Sequence, residues 1–143
     1  IGTGDVTVEA WIRPETYGEN NLGYIISNSR RTTCLESKYL AHTSGTGTTI
    51  RSGQIVPLNE WLHIAITSTA GGIANMYING ALSGDPNRDA GAPTAGTTPV
   101  FIGNGSAGGY AFDGQISGVR VYSRILGAGE IKQNYELTKN HYQ

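Results

Sequence analysis

Charge, cysteine and long apolar runs are what this sequence has least of. Asp, Glu, Lys and Arg make up 15% of its 143 residues, against about 25% in ordinary soluble domains. Ten Lys and Arg face 11 Asp and Glu, for a formal net charge of −1. No basic stripe is left over to neutralise phosphates, which excludes nucleic acid as an electrostatic partner. One cysteine, Cys34, rules out an internal disulfide and a Cys-cluster zinc site. The histidines, His42, His63 and His141, have no metal-ligand spacing. No apolar stretch approaches the roughly 20 residues of a membrane-spanning helix, so helical membrane insertion is excluded. The chain opens on Ile1 without the basic and apolar regions of a signal peptide.

What the sequence does have is glycine, 21 residues of it, and apolar residues at every second position. Val6, Val8, Ala10 and Ile12 alternate along one face of a strand that Arg13-Pro14 ends, because proline donates nothing to a ladder. Tyr24–Ser27 and Cys34–Leu40 read as two further strands. Trp61–Thr67 alternates again, turns at Gly71-Gly72 into Ile73–Ile78, and meets Asn79-Gly80, a pair suited to a tight hairpin turn. Residues 81–98 read as loop. Val100–Gly103 is a short strand, and Gln115–Tyr122 places Val119 and Val121 opposite Ile116. Only Leu126, Ile131 and Tyr135 fall at helical spacing, with Glu130 early, at the positive end of the dipole. The expected fold is all-β, a two-sheet antiparallel jelly-roll sandwich with one short C-terminal helix near residues 128–138.

Five segments then carry a resemblance. Val6–Pro14 resembles the second strand of the laminin-G-like, concanavalin A-like jelly rolls. Trp61-Leu62-His63 matches the Trp-x-His motif of that family, and Met76–Gly80 looks like its strand followed by Asn-Gly. Phe112–Arg124 resembles its final strand, and Leu126–Tyr135 its closing helix. The resemblance implies a single domain over residues 1–143, part of a longer chain, that lacks the family's first strand here: either that strand lies outside residues 1–143 or the sandwich carries an exposed edge. It also puts calcium in question, because Ser117-Gly118 stands where many relatives have an acidic pair. Asp113 is the one carboxylate carried over from a family motif, and the candidate ligand for a structural calcium; no other cofactor is implied.

The chemistry points away from catalysis. Glycoside hydrolysis needs two acids on one face, whereas Asp5, Glu9, Glu15, Glu19, Glu36 and Glu60 stand singly and read as solvated surface carboxylates. His63, between apolar neighbours, reads as a packed histidine hydrogen-bonded to the next strand, and Cys34 as an inert thiol. Trp11 and Trp61 are assigned to the core. The chain is expected to be no enzyme but a binding module. Aromatic faces stack on sugar C–H patches while amides and charges fix hydroxyls. The candidate residues are Tyr17, Tyr39, Arg51, Asn104 and Tyr110, the last mounted on Gly108-Gly109 at a loop tip. The expected partner is a glycan or glycoprotein, in an extracellular, cell-surface or virion setting. An alternative comes from Glu130–Tyr135 and Thr138-Lys139, which resemble C-terminal modules of phage structural proteins. It makes the domain a capsid-decoration or tail-fibre module that contacts protein neighbours in a larger assembly.

Overall fold

The period-2 stretches become strands that divide into two antiparallel sheets. A computed structural model describes residues 1–28, 30–94, 99–105 and 108–143. In chain order the strands are β1 (Val6–Pro14), β2 (Leu22–Asn28), β3 (Arg31–Glu36), β4 (Tyr39–Ser44), β5 (Ile50–Ile55), β6 (Leu62–Ser68), β7 (Ile73–Ile78), β8 (Ala81–Leu82), β9 (Arg88–Asp89), β10 (Phe101–Ile102) and β11 (Gly114–Tyr122). A single α-helix, α1 (Ala128–Thr138), follows. The first sheet runs β11-β1-β6-β7-β8, with β9 also on β7; the second runs β10-β2-β3-β4-β5. Their inner faces meet in one core built from Ala10 and Ile12 of β1, Ile25, Leu35, Leu40 and Ile50 of the second sheet, and Leu62, Ile64 and Ile66 of β6. The all-β sandwich with one short C-terminal helix is therefore the observed architecture.

Several elements differ from the sequence reading. β1 continues through Pro14, which sits at its last position opposite Gly114, where a missing donor disturbs nothing. The stretch read as one strand over 34–40 is a hairpin. Ser37 and Lys38 both take positive φ, 49° and 81°, as a tight turn between twisted strands requires, so Glu36 pairs back onto Tyr39. β5 was not expected at all, because Ile50–Ile55 is an edge strand whose outer half is exposed. The 81–98 segment also contributes two short strands that pair with β7.

β11 holds the largest surprise in register. Its pairing with β1 slips between Glu9 and Trp11, where Gly118 takes φ 59°. This bulge inserts one residue, so Ile116 and Val119 both pack on the core instead of on opposite faces. On its outer edge β11 has no strand beside it among the described residues, and Val121 is left 47% exposed.

Candidate functional site

The two sheets present their outer faces very differently, and the chemistry-bearing residues are split between them. On the first sheet, alternation sends Thr7, Glu9 and Trp11 of β1 outward, with His63 of β6 directly across from Trp11. All four are nonetheless buried, because α1 and the residues after it lie over this face. Thr7 ties down the chain entering the helix: its Oγ1 donates to the Arg124 carbonyl (2.8 Å) and accepts from the Leu126 N–H (2.9 Å). Leu126 and Ile131 pack with Ala65 and Tyr77. The Trp11 indole N–H donates to Thr138 Oγ1 (3.0 Å), and its ring stacks on Tyr142 at 4.4 Å between centroids. Trp11 is thus buried, but beneath the helix and not between the sheets. Trp61 lies just before β6, half-buried, with its ring tilted against Tyr142 at 4.9 Å. The core assignment holds for Trp11 as a buried ring, though under the helix, and is corrected for Trp61, which is only half-buried.

Glu9 needs a larger one. It is 1% exposed, not a solvated surface acid, because the helix covers the face it points to. Both of its carboxylate oxygens accept from Asn134 Nδ2, at 3.2 and 3.0 Å. Burial raises its pKa, opposed by the Asn134 hydrogen bond and by Arg120, its cross-strand neighbour on β11. His63 Nε2 lies 3.7 Å from Glu9 Oε1, and His63 Nδ1 has no partner among the described residues. The packed histidine is as expected, but the hydrogen bond to a neighbouring strand is missing. Burial, aided by Arg120, pushes its pKa down to about 4, so the ring is neutral near pH 7 and the contact with Glu9 is not an ion pair there. The cavity beside them, about 20 Å³, has room for a single water. An acid and a histidine side by side invite a catalytic reading, but the space beside this pair is no larger than a water needs.

The outer face of the second sheet lies open. Cross-strand partners point to the same side, which sets out three rows. Leu22, Glu36, Tyr39 and Ile55 form one; Tyr24, Cys34, Ala41 and Arg51 form the next; Ser27, Thr32 and Thr43 form the third. The centre is a shallow depression of about 230 Å³ bounded by Leu22, Tyr24, Thr32, Glu36, Thr43 and Thr49, with Cys34 at its floor. From β2 to β5 the face spans three strand spacings, about 14 Å. Its hydroxyls pair among themselves, Ser27 with Thr32 at 3.2 Å and Thr43 with Thr49 at 2.8 Å. Arg51 donates to Glu36 Oε2 (2.9 Å), an exposed pair that neutralises itself while leaving further guanidinium N–H groups free. Burial pushes the Cys34 thiol up to about 12, which makes it the inert thiol expected.

One end of this face is aromatic. Tyr110 stacks on Tyr24 with 5.4 Å between centroids. Tyr110 is no loosely mounted loop tip: its N–H donates to Glu19 Oε2 (2.9 Å), and its carbonyl accepts from the Tyr24 N–H (2.8 Å). It is held at φ 62°, a conformation that is uncommon for a bulky residue and worth noting at a site. The residue remains 45% exposed.

Of the five residues proposed from sequence, Tyr39, Arg51 and Tyr110 come together on this face. Asn104 stands beside it, just before Gly105, whose added Cβ would lie 3.2 Å from the Tyr24 ring. Tyr17 does not join them. It packs against the core with its hydroxyl donating to the Val56 carbonyl (3.0 Å). Asp113, the calcium candidate, is exposed and accepts from Thr16 Oγ1 (2.9 Å). Among the described residues no three His, Cys, Asp or Glu side chains gather around any point that would hold a metal. Tyr24, one of the tyrosines that the sequence places beside polar segments, lies on the same face, and Glu36 and the threonines join it there without having been singled out from the sequence as binding residues. The signal for them was their alternation with Ile25, Thr33 and Leu35, which face inward.

Comparison with known proteins agrees with this architecture. A family model described as the concanavalin A-like lectin/glucanases superfamily matches residues 1–132. No curated protein sequence matches the chain. Among solved structures, one from Bacteroides ovatus, described as a candidate carbohydrate-binding protein, superposes with a TM-score of 0.71 at 23% identity, over 93% of this chain and 41% of that one. A Trypanosoma rangeli sialidase, solved with the inhibitor DANA, gives 0.68 at 12% identity over 93% of this chain and 23% of its own. A botulinum neurotoxin type C structure, whose cell entry is described as dependent on two ganglioside molecules, gives 0.62 at 17% identity over 98% and 36%. The chain spans less than half the length of each, and at these identities the likeness is one of fold. With two antiparallel sheets, a closing helix and a family match over nearly its whole length, the chain belongs to the concanavalin A-like lectin/glucanases superfamily.

Proposed function

We propose that this domain is a non-catalytic glycan-binding module and that the open face of the second sheet is its binding surface. The observation that carries the reading is the contrast in access. The Glu9–His63 pair lies beneath α1, whereas Tyr24, Tyr110, Tyr39 and Arg51 stand on an uncovered face with a row of hydroxyls alongside them. The aromatic end supplies a stacking platform, and the Glu36–Arg51 end supplies fixed donors and acceptors for sugar hydroxyls. The fold likeness to structures described as carbohydrate-binding or ganglioside-dependent supports the same reading. A glycan array probed with the wild-type domain and with Tyr110→Ala tests it. Binding to one or more glycans, weakened in the variant, is expected. Wild-type silence across the array, or binding that Tyr110→Ala leaves unchanged, would count against it.

The setting that fits is extracellular, on a cell surface or on a virion, where glycans are met. A module of a larger phage or adhesive assembly is compatible with the same face. Residues 1–143 then act as one domain of a longer chain, with a strand from elsewhere in that chain beside the free edge of β11, since bare edges invite unwanted pairing. Upstream extension of the chain should slow hydrogen exchange of β11 amides; unchanged exchange would remove that part of the proposal. A structural calcium at Asp113 is the remaining element, tested by whether calcium raises the melting temperature of the wild type and not of Asp113→Asn.

A further inference from the structure

Two asparagine–glycine pairs occur in the chain, Asn79-Gly80 and Asn104-Gly105, and the structure holds them in opposite ways. An asparagine before glycine can react with its own backbone. The next residue's nitrogen attacks the side-chain carbonyl carbon, the carboxamide nitrogen leaves as ammonia, and water opens the resulting succinimide to aspartate or isoaspartate. Glycine permits the approach because it has no Cβ and few conformational restrictions. What decides the rate in a folded chain is where the side-chain carbonyl rests.

At Asn79 it rests away from the next residue. Asn79 Oδ1 accepts from the His63 N–H (2.9 Å), and the Asn79 N–H donates to the His63 carbonyl (2.8 Å). Gly80 lies against Tyr135 of α1, where an added Cβ would come 3.0 Å from the ring. Reaction there requires the β7–β8 turn to open first. At Asn104 the side chain is already turned onto its neighbour. The Gly105 N–H donates to Asn104 Oδ1 at 2.8 Å, so the side-chain carbonyl already rests against the attacking nitrogen. The same N–H is shared with the Gly109 carbonyl (3.0 Å), a bond released on reaction. Asn104 is half-exposed, so water reaches it.

We infer that Asn104-Gly105 is a self-modifying site that converts to aspartate or isoaspartate in the folded protein, while Asn79-Gly80 stays intact. The product adds one negative charge to a chain of formal net charge −1, and does so in the loop that packs beneath Tyr24. Its effect on the open face rests on the binding reading; the modification itself does not.

The test is to age the purified protein at mildly alkaline and mildly acidic pH, then follow it by anion-exchange chromatography and mass-spectrometric peptide mapping. An acidic variant should accumulate faster at the alkaline pH, where the attacking nitrogen loses its proton more readily. Conversion at Asn104 should outpace that at Asn79 by about tenfold or more, the cost of local opening at the latter. Asn104→Gln, whose longer side chain closes a less favourable ring, should suppress the acidic variant. Equal or faster conversion at Asn79, or none at Asn104 in the folded protein, overturns the inference. Asn104→Asp on the glycan array separates the two parts. A changed profile supports the link to the face, and an unchanged one removes that link while leaving the site itself standing.

Discussion

The two outer faces of the sandwich are made of the same alternating strands, yet one is covered and the other is not. On the first sheet the outward residues include an acid, a histidine and a tryptophan, Glu9, His63 and Trp11, and all three are buried by α1 and Tyr142. On the second sheet Tyr24, Thr32, Glu36, Tyr39, Thr43 and Arg51 point outward and meet solvent, over a floor of Ser27, Cys34 and Ala41. The lesson is that residue type does not locate a site. The groups that look catalytic hold a helix in place, and the groups that look ordinary form the accessible surface.

Substitutions should separate the faces most sharply where the covered one is cut deepest. Trp11→Ala removes a ring stacked on Tyr142 and a hydrogen bond to Thr138. It should cost about 3–5 kcal/mol, as large buried truncations do, read as a lower midpoint in denaturant. A loss below about 1 kcal/mol, the cost of an average substitution, would mean that α1 is not docked as described. Trp61→Ala, at a half-buried position, should cost clearly less than Trp11→Ala.

Acid should act on the covered face next. His63 has a folded pKa of about 4 and an ordinary value of 6.5, so the unfolded chain takes up its proton first as pH falls. Stability from His63 is complete above pH 6.5 and is lost as pH drops toward 4. His42, buried among Thr33 and Ser44 and pushed down to about 3, adds to the same trend. Glu9 works against it: its raised folded pKa means that protonation relieves a buried charge as pH falls. With both histidines neutral and buried, the melting temperature should fall over this range, by less than it would without Glu9. His63→Gln should flatten the fall, and Glu9→Gln should raise the melting temperature at neutral pH by removing the buried charge. A melting temperature that does not change between pH 6.5 and 4, or an identical slope in His63→Gln, would contradict the neutral, buried ring.

On the open face the effects should be small in stability and visible in binding. Tyr110→Ala removes one stacking partner, which should cost on the order of 1 kcal/mol of binding, several-fold in affinity, with the melting temperature nearly unchanged. Arg51→Ala breaks only an exposed pair with Glu36, worth at most about 1 kcal/mol to stability, so a change in affinity without unfolding is again expected. The smallest effect is at Cys34. With its thiol pushed up to about 12, the folded domain should react with thiol reagents far more slowly than the denatured chain.

How much of this was written in the sequence depends on the range of the interaction. The helix over 128–138 was legible because Leu126, Ile131 and Tyr135 fall on one side, which packs on the first sheet through Ala65, Tyr77 and Trp11. The main hairpin was legible from its alternation and from Asn79-Gly80. The β3–β4 turn was not, since Ser37-Lys38 is not a usual turn pair, and neither was β5, whose edge position leaves little apolar pattern to read. The bulge at Gly118 hides in a run that alternates correctly until one residue is inserted. Glu9 was the deepest miss. Alternation told that it points away from the core, but not that a helix 125 residues later would supply Asn134 to it. Tyr17 failed for the reverse reason, a polar neighbourhood in sequence folded against the core. Tyr39, Arg51 and Tyr110 converged because they sit at strand or loop positions that register brings to one face.

Backbone amide shifts of the ¹⁵N-labelled domain, titrated with a glycan selected on the array, test the contrast between the faces most directly. The account predicts that the shifts cluster at Tyr24, Thr32, Glu36, Tyr39, Arg51 and Tyr110, with α1 and its contacts to Trp11 and His63 silent. Shifts that cluster on α1, Tyr142 and the first sheet, with the second sheet unmoved, would contradict it.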